Sequence, residues 1–198
     1  AGLSEATAEL CNHLGIAHQV APMSDDPVRT VLSTDSGELP MQDYFVRRRA
    51  EPRVLEVRYD GAESARPSPV LEEALEQAQL IVLCPSNPFL SLGPILALPG
   101  ISERLANAPG LRVAVSPIIG GAAVRGPAAK IMSELGQAAS CVGIAKQYQG
   151  LCDVLLIDDR DAHLSPAVAE LGITPVAASI IMDTEADKVK LAERILAM

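Results

Sequence analysis

Two loops hold the residues best equipped for ligand chemistry. In "LIVLCPSNPFLSLGP" (80–94) an apolar run ends in Pro85, Ser86, Asn87 and Pro88. Ser86 and Asn87 offer hydroxyl and amide groups, and Gly93-Pro94 suits a helix start whose free N–H groups face an anion. The pattern returns in "RVAVSPIIGGAAVRGP" (112–127), where Ser116 precedes Gly120-Gly121 and then Arg125-Gly126-Pro127. Glycines let a backbone approach a ligand closely, and a helix start with Arg125 and Lys130 suits a phosphate. A Pro/Asn/Ser loop after a strand is also a common plain turn, and neither loop is a Walker A or dinucleotide fingerprint. Two such loops at neighbouring strand ends strengthen the ligand reading.

Three further clusters carry two readings each. "DDRD" (158–161) can hold a metal or cap a turn, and a solvated turn is the favoured expectation. Asp26-Pro27 is an ordinary turn start, yet Met23, Ser24, Asp25 and Asp26 beside a hairpin can also line a pocket. Arg47, Arg48 and Arg49 read as a solvated face, or as a capture site for phosphate or carboxylate. His13, His18 and His163 have no Ser or Cys partner pattern, so no catalytic triad is assigned.

The elements that must position these residues alternate. Helices are expected over 4–14 (capped by Ser4, stopped by Gly15), 42–50, 69–78, 126–135, 141–149, 166–171 and 184–197. Strands are expected over 17–21, 54–60, 79–84, 111–116, 153–157 and 174–178. Residues 29–34 and 38–42 flank "DSG", a hairpin signal. Continuous apolar strands alternating with helices predict an α/β fold: a Rossmann-like, mostly parallel sheet with helices on both faces. A hairpin-containing element over 17–60 precedes a parallel βα core over 68–198, all in one domain.

Composition narrows the chemistry. The 198 residues are 48% apolar with a formal net charge of -9, which argues against a nucleic-acid partner. Tyr44, Phe45, Tyr59, Phe89 and Tyr148 are the whole aromatic supply. Cys11, Cys84, Cys141 and Cys152 form no C-x-x-C pair and have no histidine at metal-ligand spacing. Structural zinc is therefore not expected. Cys84 and Cys152 read as small buried hydrophobes, and the pattern fits a reducing cytoplasm. No apolar run has the length of a membrane span, and no signal peptide is visible. The first residue is Ala1, which suggests a processed, truncated or excised piece.

The segments "PMSDDPVRT", "QDYFVRRRAEP", "CPSNPFLSLGPILALPGI", "VAVSPIIGGAAVRGPAAKIMSELG" and "DVLLIDDRD" together resemble the 2-phospho-L-lactate transferase family of coenzyme F-420 biosynthesis. The resemblance runs in order over nearly the whole chain. It implies transfer of a 2-phospholactyl or phosphoenolpyruvyl group from a guanosine-diphosphate-type donor to the deazaflavin alcohol Fo. The products are F-420-0 or its dehydro form and GMP, with magnesium as cofactor. It also implies a cytoplasmic enzyme, with a homodimer as an expected assembly. By matching motifs, Met23, Ser24, Asp25 and Asp26 fall near the deazaflavin. Ser86, Asn87, Ser116, Gly120, Gly121 and Arg125 fall on the nucleotide or phosphate side.

The family's usual opening strand and GGxGG-type loop, with the acidic residues after it, have no counterpart here. The expectation is a fragment, inactive alone, whose metal ligands lie upstream of Ala1; the catalytic base stays unassigned. The alternative reading is a non-catalytic nucleotide-sugar-binding regulator of similar fold. That related family carries a PGSLYTS-like loop where this chain has PSNPFLS, and Asn87-Pro88 favours the transferase. A third reading is a structural α/β domain that packs on a partner.

Overall fold

The computed structural model describes residues 2–198. Helix α1 (Leu3–His13) starts at Gly2, whose N–H donates to Glu5 Oε2 at 3.2 Å, and Gly15 at φ +66° stops it. Ser4 is therefore not the cap; its N–H donates to Asp25 Oδ1 at 2.6 Å. No α1 side chain is buried, and Leu3, Leu10 and Leu14 are exposed. The strand expected at 17–21 does not form. These residues are exposed throughout and lie beside no strand that could pair with them, so an extended segment gains no ladder.

The hairpin forms as expected: β1 (Arg29–Thr34) pairs antiparallel with β2 (Gly37–Pro40), and Gly37 takes φ +99° in the turn. β3 (Val54–Asp60) pairs with the other side of β1. Between them the helix expected over 42–50 is a single π-helical turn, Asp43–Arg47. It stops at Arg49 and Ala50, both left-handed at φ 51° and 56°.

The second half is the layered core. Helix α2 (Pro69–Gln77) is capped by Ser68, whose Oγ accepts from Leu71 N–H, with Pro69 at the first position. It leads to β4 (Leu80–Leu83), a π-helical turn Pro88–Leu92, α3 (Gly93–Leu96) and α4 (Ile101–Ala106). Then come β5 (Leu111–Val115), the small hairpin β6 (Ile118–Ile119) and β7 (Ala122–Ala123), α5 (Ala128–Glu134) and α6 (Cys141–Gln147). Strand β8 (Val154–Asp158), a 3-10 turn Asp159–Leu164, α7 (Ser165–Ala169), β9 (Thr174–Ala178) and α8 (Glu185–Leu196) complete the chain.

Strands β4-β5-β8-β9 lie side by side in that order, all parallel. Crossovers of one hand that all step the same way put their helices on one face. Accordingly Leu83, Ala114, Leu155 and Ile157 pack under α2 and α4–α7 in one cluster. On the other face Val113, Val115 and Leu156 pack on Leu191 and Ile195 of α8. Helices thus cover both faces, as the sequence predicts. Strand β4 is the edge, which is why Cys84 at its end is exposed rather than buried; Cys152 is buried as expected. No helix among the described residues is long and apolar enough to cross a membrane.

The antiparallel sheet docks on α5 through Leu32, Tyr44, Val54 and Ile131. A polar clamp seals this contact. Lys130 Nζ donates to Pro52 O at 2.8 Å and to Glu134 Oε2 at 2.9 Å, and lies 5.8 Å from the Tyr44 ring centre. Glu134 Oε2 also accepts from Val54 N–H at 2.9 Å.

At the edge where the parallel strands start, Arg112 and Asp153 form a second clamp. Asp153 Oδ2 accepts from Arg112 N–H and Nε at 2.9 and 3.0 Å, while Arg112 Nη1 donates to Ala106 O at 2.7 Å. The Arg112 hydrogen bond holds the Asp153 carboxyl below the usual carboxylate range. A depressed carboxyl adds stability above its unfolded pKa and loses it as the pH falls through the folded one. We therefore expect the stability gap between wild type and Asp153→Asn, read from urea midpoints, to narrow as the pH falls below about 4. A gap that stays constant from neutral pH into acid would contradict this.

Candidate functional site

The loops that leave β4, β5, β8 and β9 all emerge at one edge, where open parallel sheets bind ligands. After β4, Asn87 Oδ1 accepts from Phe89 N–H at 2.9 Å and Leu90 N–H at 3.0 Å, so the amide oxygen is committed to holding the turn. The other end, Nδ2, is buried and has no hydrogen-bond partner among the described residues. A buried unpaired N–H₂ is costly unless something accepts from it. The turn itself is pinned by Tyr59, whose hydroxyl donates to Phe89 O at 2.8 Å; burial pushes the phenol up to about 12. Gly93 is required at this point, because a Cβ there would fall 1.9 Å from Tyr59 Oη.

After β5, Ser116 is buried and turns on itself: Oγ donates to Ile118 O at 2.8 Å and accepts from Ile118 N–H at 3.2 Å. Gly120 and Gly121 form the β6–β7 turn at φ +57° and +79°, a conformation that L side chains adopt with strain. Gly120 N–H donates to both oxygens of Asp161, at 3.0 and 3.2 Å. Asp161 is 3% exposed, and so is Asp158, which caps the following turn through Arg160 N–H and pairs with Arg160 Nε at 3.0 Å. The expected solvated "DDRD" turn is therefore half corrected. Asp159 and Arg160 face water, whereas Asp158 and Asp161 are buried because each has donors to satisfy.

Asn87, Ser116 and Arg125 surround one cavity of about 290 Å³. Arg125 forms no ion pair among the described residues. The opposite wall is Asp183 and Lys188, which the sequence reading missed. They follow β9, the fourth strand end, and the rule that singled out the other loops applies to this one. Lys188 also pairs with Glu185 at 2.8 Å, in an exposed contact. The cavity thus offers two cations, an orphan amide and one carboxylate.

The other expected site residues lie elsewhere. Ser86 faces an apolar groove between β4 and α8. Asp25 and Asp26 line a separate pocket of about 500 Å³ with Arg66, Ser68 and Glu72. Asp26 Oδ2 accepts from Arg66 N–H at 2.8 Å. Ser24 is buried and donates to Arg66 O at 2.6 Å, and Met23 packs against the main core. Gly120 and Gly121 shape the hairpin turn and are not lining residues of the cavity.

The described residues contain no group of three or more His, Cys, Asp or Glu side chains gathered as a metal site. Burial pushes the Cys141 thiol up to about 11 and Cys152 up to about 12, so neither is a thiolate nucleophile at neutral pH.

A parallel sheet with a cavity at its strand ends places the chain in the Rossmann-like α/β class. Within that class the chain belongs to the 2-phospho-L-lactate transferase CofD family, whose model matches residues 1–195. It is 40% identical over 196 residues to the 2-phospho-L-lactate transferase of Methanococcoides burtonii, covering 99% of this chain and 63% of that protein. It is 38% identical over 201 residues to the phosphoenolpyruvate transferase of Kitasatospora aureofaciens, covering 99% and 63%. The chain thus spans about 63% of the length of these relatives. A Bacillus halodurans crystal structure of the UPF0052 family shares the fold at TM-score 0.66 and 16% identity, covering 98% of this chain and 66% of that one.

The buried Asp161 carboxylate is the group that fixes the Gly120–Gly121 turn beside the cavity. Asp161→Ala is expected to cost about 1.5–3 kcal/mol in chemical denaturation, the range for hydrogen bonds to charged groups. Amide exchange at Gly120 should accelerate, and Asp161→Asn should recover part of the loss. Wild-type stability and exchange in Asp161→Ala would show that the contact is incidental.

Proposed function

We propose that this chain forms the phosphate-handling edge of a transferase. It moves a 2-phospholactyl or phosphoenolpyruvyl group from a guanosine-diphosphate-type donor to the deazaflavin alcohol Fo. The observation that carries this reading is the pairing of unpartnered Arg125 with the orphan Asn87 amide at one cavity. Family membership supports it, and the names of the relatives cover both phospho-acids.

In the proposed step a hydroxyl oxygen of the acceptor attacks the phosphorus that bears the lactyl or enolpyruvyl group. The P–O bond to GMP breaks, and GMP leaves with the electron pair. The hydroxyl proton passes to a carboxylate acting as base. Such transfers depend on in-line positioning and on stabilising charge that develops on the phosphoryl oxygens. Arg125 and Lys188 supply cationic donors to those oxygens, and Asn87 Nδ2 supplies a neutral one. Asp25 and Asp26, in their separate pocket, are the proposed contact for the acceptor's polar groups.

Magnesium is part of the proposal. This ion is commonly held by one or two carboxylates together with substrate phosphate oxygens. Asp183 is the one carboxylate among the cavity's lining residues and would hold it against the diphosphate. When bound, the ion neutralises phosphate charge.

Two measurements test the reading. Calorimetry should detect pyrophosphate binding to the wild-type chain, weakened about ten- to hundredfold by Arg125→Ala, the range for a charge-assisted contact. A transferase assay with Fo, the guanylylated phospho-acid and magnesium should release GMP from a protein of the relatives' length that contains this chain. No GMP release from that protein would reject the proposed reaction.

A further inference from the structure

Asn87 stands at the end of a series of hydrogen bonds that starts in the antiparallel sheet. Tyr59 of β3 donates its hydroxyl proton to Phe89 O at 2.8 Å. That carbonyl belongs to the same peptide group as the Leu90 N–H, which donates to Asn87 Oδ1 at 3.0 Å. Phe89 N–H reaches the same oxygen at 2.9 Å. Tyr59, the Phe89–Leu90 peptide group and the Asn87 amide are thus connected donor to acceptor at each step. The last member is Nδ2, buried and without a partner among the described residues, on a side chain that lines the cavity.

The pieces of this series are fixed by their surroundings. Two backbone donors face Oδ1, so the N–H₂ end of the amide is the end left for another acceptor. Residue 93 has no side chain, and a Cβ there would fall 1.9 Å from Tyr59 Oη; glycine makes the room that the hydroxyl occupies. Burial pushes the phenol up to about 12, so Tyr59 keeps its proton and remains a donor at neutral pH. Hydrogen bonds in series also polarise one another. A proton donated to Phe89 O makes the Leu90 N–H a better donor, and that bond in turn leaves the Asn87 N–H₂ hydrogens more positive.

We infer that Tyr59 is a positioning residue for the anion cavity: through the Phe89–Leu90 peptide group it fixes the Asn87 amide and strengthens Nδ2 as a donor to a bound phosphate oxygen. Tyr59 is not among the residues that line the cavity, so it acts through Asn87. This role rests on the phosphate reading proposed above and adds to it a residue of the antiparallel sheet. A tie that served only to hold the sheet in place would change stability and leave affinity for the anion alone.

A double-mutant cycle separates these roles. Pyrophosphate is titrated calorimetrically into the wild-type chain, Tyr59→Phe, Asn87→Ser and the double variant. Serine keeps a side-chain oxygen able to cap the turn and has no N–H₂ group. Expected is a loss of affinity of about three- to tenfold in Tyr59→Phe, the range for one hydrogen bond of ordinary strength, and no further loss when Tyr59→Phe is added to Asn87→Ser. In nuclear magnetic resonance spectra the Asn87 N–H₂ signals should move when pyrophosphate is added to the wild type, and move less in Tyr59→Phe. Backbone amide signals of Tyr59→Phe that match the wild type away from the Pro88–Leu92 turn show that the fold is kept. Wild-type affinity in Tyr59→Phe rejects the positioning role and leaves the phosphate site standing. An equal loss in the Asn87→Ser background rejects the path through Asn87. Asn87 signals that ignore pyrophosphate reject Nδ2 as its donor. No pyrophosphate binding by the wild-type chain rejects the phosphate reading and this role with it.

Discussion

Strands paired in parallel cannot be joined by tight turns, and this constraint organises the molecule. Each of β4, β5 and β8 must send the chain back along the sheet before the next strand starts. Returning segments of helix and loop fill one face, and α8 closes the other. The outgoing loops are then forced to one edge, although they are far apart in sequence. Asn87, Ser116, Arg125 and Asp183 meet there for that reason alone. The Arg112–Asp153 clamp lies at the opposite edge, where it stabilises the fold without touching the cavity.

The antiparallel sheet depends on the core in turn. Isolated sheets of this size are marginal unless one face packs on something. Here the packing partner is α5, through Tyr44, Val54 and Ile131, with Lys130 and Glu134 satisfying the polar groups at the seam. Since α5 begins directly after Arg125-Gly126-Pro127, the same contact brings Phe45 beside Gly126. Tyr59 adds a second tie, from β3 to the Pro88–Leu92 turn. Packing of one sheet on one helix therefore helps shape the edge of the cavity at the strand ends.

Charge is distributed by role. The chain has a net charge of -9, yet the cavity wall presents Arg125 and Lys188 against a single carboxylate. The buried acids do structural work: Asp161 holds the Gly120 turn, and Asp158 caps the segment after β8. A buried carboxylate survives only with donors around it, and these two find theirs in the Gly120 and Arg160 N–H groups and the Arg160 guanidinium.

Much of this was legible in the residues themselves. Apolar runs located the four parallel strands, Ser68-Pro69 located the start of α2, and the two polar strand-end loops located one side of the cavity. These are local properties: hydrophobic period, capping and turn chemistry act over a few neighbours. What required the tertiary structure was every pairing between distant segments. Asp161 became buried because the β6–β7 turn offered it an N–H, and Asp183 and Lys188 came to line the cavity because β9 ends beside β8. Residues 17–21 had a strand-like composition but found no neighbouring strand. Ser24, a pocket residue by its sequence, instead hydrogen-bonds Arg66 across the fold. Local chemistry fixed which segments are strands, helices and turns; sheet order and long-range hydrogen bonding decided which of their residues face a common cavity.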